Sequence, residues 1–143
     1  MSDKHTAWLI PCNVNLYDPI GAFAELQVID WRQQVKMNAG DEVFIYCSRP
    51  YQKIMFKTVA TKVNIPPEEA DRSDEDTFSK KGTHILEGEN GPRFGYAKLK
   101  LLNCRDTDAL QLKNLMKHGL TKAPQGQIRV TDELYDYLIS VFR

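Results

Sequence analysis

Apolar and polar positions alternate most clearly between Gly40 and Val63. Glu42-Val-Phe-Ile-Tyr-Cys47 is a β-branched and aromatic run, opened by Gly40-Asp41 and followed by the turn residues Ser48-Arg-Pro-Tyr51, which predicts a strand and a turn. From Ile54 the pattern has period two. Ile54, Phe56, Thr58, Ala60 and Lys62 share one face and Met55, Lys57, Val59, Thr61 and Val63 the other, as in a half-buried second strand.

Upstream, Thr6-Ala-Trp-Leu-Ile10 predicts a short strand ended by Pro11, which has no N–H for a ladder. Asp18 is a good N-cap with Pro19 at the first helical position. Ile20, Phe23 and Leu26 recur at three-residue spacing, so residues 18–26 predict a short helix over one end of the sheet. Ile29-Asp-Trp-Arg-Gln-Gln34 has no periodicity, and Trp31 either plugs the core from a loop or serves a surface function. Downstream, residues 96–102 alternate as a strand with Lys98 and Lys100 facing outward. Residues 108–118 have helical spacing at Leu112, Leu115 and Met116, with Gly119 as the C-cap, and residues 123–130 read as extended. A last helix over 131–142 is opened by Thr131 and buries Leu134, Leu138 and Phe142. The predicted class is α+β, in a single domain spanning residues 1–143.

Composition narrows the function classes. No run of about 18 apolar residues occurs, and the start Met1-Ser-Asp-Lys-His lacks the build of a secretory signal, so a soluble, cytoplasmic protein is expected. Cys12, Cys47 and Cys104 sit in apolar surroundings and are expected to be buried free thiols, with no metal site. The net charge of zero is uneven. Residues 68–76 hold six acids and one base, which leaves 13 acids against 18 bases, or +5, on the rest of the chain. That excess suits either a polyanion on one face or a dispersed solvated surface. Residues 66–81 have paired prolines, the acidic run and almost no apolar residue except Phe78, which predicts a mobile surface insertion that repels phosphate.

No phosphate-binding glycine loop, paired histidine ligands or nucleophile elbow is present. His5, His84 and His118 fall in a tail, a loop edge and a helix end, as solvated or capping side chains do. Asp30 and Asp41 are candidate carboxylates, Asp41 serving the turn before its strand. The residues assemble no catalytic centre, and no cofactor is expected.

Trp8-Leu-Ile-Pro-Cys-Asn13, the Tyr17-Asp18 helix start, Ile29-Asp-Trp31, Gly40-Asp-Glu-Val-Phe-Ile-Tyr46 and Pro124-Gln-Gly-Gln-Ile-Arg129 together resemble an EVE domain of the PUA-like superfamily, over nearly the whole chain. The likeness is greatest to the EVE modules at the amino end of modification-dependent restriction endonucleases, although no HNH nuclease motif follows here. The resemblance implies a small, curved β-barrel with helices packed at its openings. It also implies a non-catalytic reader that takes a flipped base into an aromatic pocket, with modified DNA, 5-methylcytosine or a relative, as partner. Modified RNA is the alternative ligand, and a nuclease domain or subunit is a further implied partner. An enzyme acting on a small molecule remains a third reading.

Base recognition needs flat apolar surfaces for stacking and polar groups on the Watson–Crick edge. Trp31, Tyr46 and Tyr51 are candidates for the planes, and Asn13, Asp30 and Ser48 for the edge. Asp30 is singled out because a carboxylate accepts from the exocyclic amine of cytosine and rejects the carbonyl of thymine. Arg32, Arg49, Lys53, Arg93 and Arg129 are the candidates for binding phosphates.

Overall fold

Val43, Ile45 and Cys47 point to one side of the central strand and Phe44 and Tyr46 to the other, and all five are buried. A strand buried on both faces reads as a continuous apolar run, which is why this stretch is so conspicuous in the sequence. The computed structural model describes residues 6–79 and 93–143. Strand β1 (Ala7–Cys12) is followed by helix α1 (Pro19–Glu25), β2 (Val28–Arg32), β3 (Glu42–Cys47) and β4 (Lys53–Ile65). Then come α2 (Ser73–Phe78), β5 (Tyr96–Cys104), α3 (Leu112–Leu115), β6 (Ile128–Arg129) and α4 (Asp132–Val141). The strands form one six-stranded mixed sheet in the order β2-β5-β4-β3-β1-β6, with β1 and β3 parallel. Register shifts in β4, against both β3 and β5, bend it.

Two apolar clusters flank the sheet. One packs Phe23 of α1 against Phe56, with ring centroids 4.9 Å apart, together with Ile10, Val43, Ile45 and Leu99. The other joins Leu9, Phe44, Tyr46 and Ile54 to Leu110, Leu115 and, from α4 and its C-cap, Leu134, Leu138 and Phe142. The N-caps follow the sequence reading: Asp18 Oδ1 accepts from Gly21 N–H at 3.0 Å and Thr131 Oγ1 from Leu134 N–H at 3.3 Å. Among the described residues no helix is long and apolar enough to cross a membrane.

Several expectations change. Pro11 lies inside β1, because β6 pairs only with Trp8 and Leu9 and leaves the strand open on that side beyond them. Residues 29–32 belong to strand β2, not to a loop; β2 is an edge strand whose only ladder is with β5, so period-two burial is weak there. The helix expected over 108–118 is broken into a 3₁₀ turn, α3 and a second 3₁₀ turn. Gln111 is extended and bridges to Lys53, and Leu112 N–H donates to Gln52 C=O. Met116, read at helical spacing with Leu112 and Leu115, is 48% exposed, and Cys104, expected to be buried, is exposed, unlike Cys12 and Cys47. The sheet does not close by backbone pairing, so the expected barrel is an open, curved sheet along its β2 and β6 edges.

The segment expected to be a mobile insertion carries a 3₁₀ turn at Pro67–Glu69 and helix α2, whose Phe78 packs on the first apolar cluster. Local composition missed this because the anchors lie elsewhere in the chain. His5, His84, Lys80, Lys81 and the turn-rich residues 88–92 lie outside the described residues.

Gly95 has φ +78°, and a Cβ there would overlap the carbonyl oxygen of Ile65. Gly95→Ala should therefore lower stability by about 2 kcal/mol or more in a denaturant titration, since neither backbone segment is free to move aside. A variant as stable as the parent would show that the β4–β5 bend tolerates a side chain.

Candidate nucleic-acid interface

The end of β1, edge strand β2, helix α2 and the loop before β6 enclose a cavity of about 430 Å³. Pro11, Cys12, Leu16 and Ile29 give it an apolar floor, and Tyr17 and Trp31 supply aromatic surface. Asn13, Asp30, Arg32, Gln34, Asp74, Glu75 and residues 125–127 supply its polar wall.

Local chemistry sets each wall. Leu16 and Tyr17 N–H both donate to Asn13 C=O, at 2.9 and 3.1 Å, and Asn13 Oδ1 accepts from Asn15 N–H, so the chain turns sharply after β1. This turn sets Tyr17 edge-on against Trp31, with centroids 5.5 Å apart and planes at 73°. Trp31 is partly exposed. A planar ligand can lie on one of these faces with the other ring at its edge; the two do not form a parallel sandwich.

Helix α2 is tied at both ends. Before its first turn, Asp71 N–H donates to Asp30 Oδ2 at 2.7 Å, and after its last, Asp18 N–H donates to Phe78 C=O at 2.8 Å. Between these, the Tyr17 hydroxyl donates to Asp74 Oδ2 at 2.5 Å, and Glu75 accepts from two Arg72 nitrogens at 2.8 and 3.0 Å. Arg32 Nη2 lies 3.8 Å from Glu75 Oε1. Burial lifts the Asp74 carboxyl above the ordinary range; the Tyr17 hydrogen bond opposes this, while Glu75 and Asp71 add to it. The Tyr17 phenol is pushed far up, by burial first and Asp74 second.

The last wall is a seam. Gln127, just before β6, donates from Nε2 to Arg32 C=O at 2.8 Å and accepts at Oε1 from Gln34 N–H at 2.7 Å. Its amide thus spans the gap between the edge strands β2 and β6 that the backbone ladder leaves open.

Of the residues named from sequence, Trp31, Asn13, Asp30 and Arg32 come together at this cavity. The others do not line it. Tyr46 faces the opposite side of the sheet and is buried in the α3/α4 cluster, because it follows Ile45 in a strand whose successive side chains alternate. Tyr51 packs beside the first cluster, and Ser48 Oγ accepts from Val14 N–H at 3.1 Å. Asp30 has both oxygens engaged, Oδ1 by Lys98 Nζ at 2.8 Å and Oδ2 by Asp71 N–H. Among the cations, Lys53 pairs with Asp106 at 2.8 Å and Asp108 at 3.8 Å. Arg93 is exposed at the rim, its N–H donating to Gln34 Oε1 at 3.0 Å, and Arg49 and Arg129 are exposed. Tyr17, Asp74, Glu75 and Gln127 were missed as site residues. Gln127 does fall in the stretch Pro124–Arg129 that carries the family resemblance, but nothing in the sequence gave it a role. Among the described residues no group of His, Cys, Asp or Glu could hold a metal ion.

No family profile and no curated protein matches the chain. Solved structures do. Human THYN1 protein in complex with 5-methylcytosine containing DNA aligns with a TM-score of 0.62 at 14% identity, over 96% of this chain and 98% of that one. The DUF55 domain of human thymocyte nuclear protein 1 aligns at 0.56 and 17% identity, over 98% and 99%. ASCH from Zymomonas mobilis aligns at 0.57 and 15% identity, over 96% of each chain. The chain shares the fold of these domains. At such identities the likeness carries the fold, and the site rests on this chain's own geometry.

Two outcomes follow from the site. Gln127→Ala leaves the half-buried Arg32 C=O and Gln34 N–H without this partner and should cost about 1–2 kcal/mol in a melt, whereas the same change at exposed Gln125 should cost little. Asp74 makes stability depend on pH. Its folded form holds a proton more tightly than the unfolded chain does, so its contribution is greatest below the ordinary carboxylate pKa of about 3.9 and fades as pH rises through the folded value. Relative to Asp74→Asn, the parent protein should therefore lose melting temperature as pH is raised from about 4; a constant difference across pH would assign Asp74 an unshifted carboxyl.

Proposed function

We propose that the chain is a non-catalytic reader of a modified base in DNA, 5-methylcytosine or a close relative, which it takes out of the helix into the cavity beside Trp31. The observation that carries this reading is the cavity itself. At about 430 Å³ it falls in the range of about 300–1,000 Å³ typical of small-molecule sites. It combines aromatic faces, apolar side chains and carboxyl groups. An unstacked base needs such surroundings, and removing it from a duplex costs a few kcal/mol that stacking and edge hydrogen bonds must offset. Arg93, Arg49 and Arg129 are the exposed cations for the flanking phosphates. Support from outside the chain is the fold shared with THYN1, which has been solved on DNA containing 5-methylcytosine; that DNA is therefore the first ligand to try. The reading gives the chain no cutting chemistry. Cleavage of bound DNA would be the work of a nuclease domain or subunit.

The test is a titration with matched duplexes that differ in one 5-methylcytosine, alongside their RNA counterparts. Tighter binding of the modified DNA supports the reading; tighter binding of the RNA transfers the site to modified RNA, and no binding of either removes nucleic acid as the ligand. Trp31→Ala should weaken the modified duplex by about tenfold or more, since stacking is worth about 1–3 kcal/mol per base, with a cooperative unfolding transition retained. Neutralising Arg49 or Arg129 should weaken modified and unmodified duplexes alike. It should also lower the slope of log affinity against log salt by about 0.9 for each phosphate the variant no longer neutralises.

A further inference from the structure

We propose that Asp74, held by the Tyr17 hydroxyl, is the group that selects the base, and that it selects for an exocyclic amine. This rests on the reading above and deepens it.

Two acidic residues at the cavity are at least nine-tenths buried, Asp30 and Asp74, and they differ in what occupies them. Asp30 is committed on both oxygens, one to Lys98 and one to the backbone of Asp71, so it ties β2 to β5 and to the start of α2. Asp74 accepts the Tyr17 hydroxyl on Oδ2 and is also reached by its own backbone N–H, and among the described residues no second side chain hydrogen-bonds its carboxyl. With Oδ2 accepting from Tyr17, the ionised carboxylate leaves its second oxygen to accept from an N–H donor. The cytosine edge presents such a donor in its exocyclic amine, whereas thymine presents a carbonyl at the same position. Tyr17 has two parts in this arrangement. Its ring meets Trp31 edge-on, and its hydroxyl fixes the rotation of the carboxyl, so the stacking surface and the edge-reading group are joined through one side chain. The apolar residues Pro11, Leu16 and Ile29 suit the methyl group that 5-methylcytosine and thymine share, which leaves the Watson–Crick edge, the group at position 4 and the proton at ring position 3, as the point of discrimination.

Competition between 5-methylcytosine and thymine isolates that edge. Each is placed opposite an abasic site in the same duplex, so that the absence of base pairing contributes equally, and affinities are measured for the parent, Asp74→Asn, Tyr17→Phe and Asp30→Asn, each with its melting curve. The parent should prefer 5-methylcytosine by up to about a hundredfold, the discrimination that one good base-edge contact supplies. Asp74→Asn offers an amide that can donate to a carbonyl, and the preference should collapse to within about tenfold or invert. Tyr17→Phe keeps the ring and frees the carboxyl, and should lose part of the preference. Asp30→Asn should lower the melting temperature and leave the preference intact. If Asp74→Asn loses cooperative unfolding, Tyr17→Phe decides: an unchanged preference there overturns the proposal. A parent that discriminates while Asp74→Asn discriminates equally well overturns the proposal alone. A parent that binds neither duplex overturns the reading beneath it and the proposal together.

Discussion

A single side-chain amide spans the place where this sheet fails to close. Strands β2 and β6 are the two edges of the curved sheet, and an edge presents N–H and C=O groups that need partners. Gln127 meets one of each across the gap, donating to Arg32 C=O and accepting from Gln34 N–H, as a further ladder rung would. Glutamine suits the task because its amide carries a donor and an acceptor at the end of a flexible stem. Everything on the open side of the cavity follows from this join. Residues 125–127 become a wall only because Gln127 holds them against β2, and Trp31 and Arg32 face a bounded space instead of solvent.

The opposite wall depends on long-range polar anchors. Helix α2 has six residues and no side-chain N-cap hydrogen bond, so it has little stability of its own. It stays in place because Asp30 receives the Asp71 N–H, Tyr17 reaches Asp74, and Arg72 and Arg32 approach Glu75. Residues 71, 74 and 75 are three of the six acids in the run over 68–76, and each has a partner. The charge density that signals disorder in isolation is here distributed over partners from β2 and the turn before α1.

This explains what could be read from the sequence. β3, the face of β4 from Ile54 to Ala60, α1 with its Asp18 cap and α4 with its Thr131 cap were all legible, because each is decided by neighbours a few residues away. Strand β2 was not, because it pairs on one side only and its pattern Val-Ile-Asp-Trp-Arg mixes a core residue, a buried carboxylate and a cavity wall. Trp31 stood out as an aromatic without periodicity and Asn13 was named as an edge candidate, and the cavity includes both. Tyr46 did not belong with them, since its neighbours Ile45 and Cys47 are the ones that face α1, and period-two alternation turns Tyr46 away. Asp74 and Gln127 were beyond reach, as their partners stand 57 and 95 positions away, at Tyr17 and Arg32.

The distribution of charge around the cavity gives the site a direction. Asp30, Asp74 and Glu75 line its interior, while Arg93, Arg49 and Arg129 stand exposed outside that lining. A phosphate approaching the interior meets carboxyl groups in surroundings of reduced dielectric, where like charges repel more strongly than in water. An exocyclic amine meets acceptors there. On the proposed reading, the acids that make residues 68–76 hostile to a nucleic-acid backbone are the same groups that admit a base, and the backbone is left to the exposed arginines. The neutral total of the chain is therefore the sum of two opposed local fields. The sequence shows the acidic run against the basic remainder; that its Asp74 and Glu75 line a cavity appears only once α2 is folded against Tyr17 and β2.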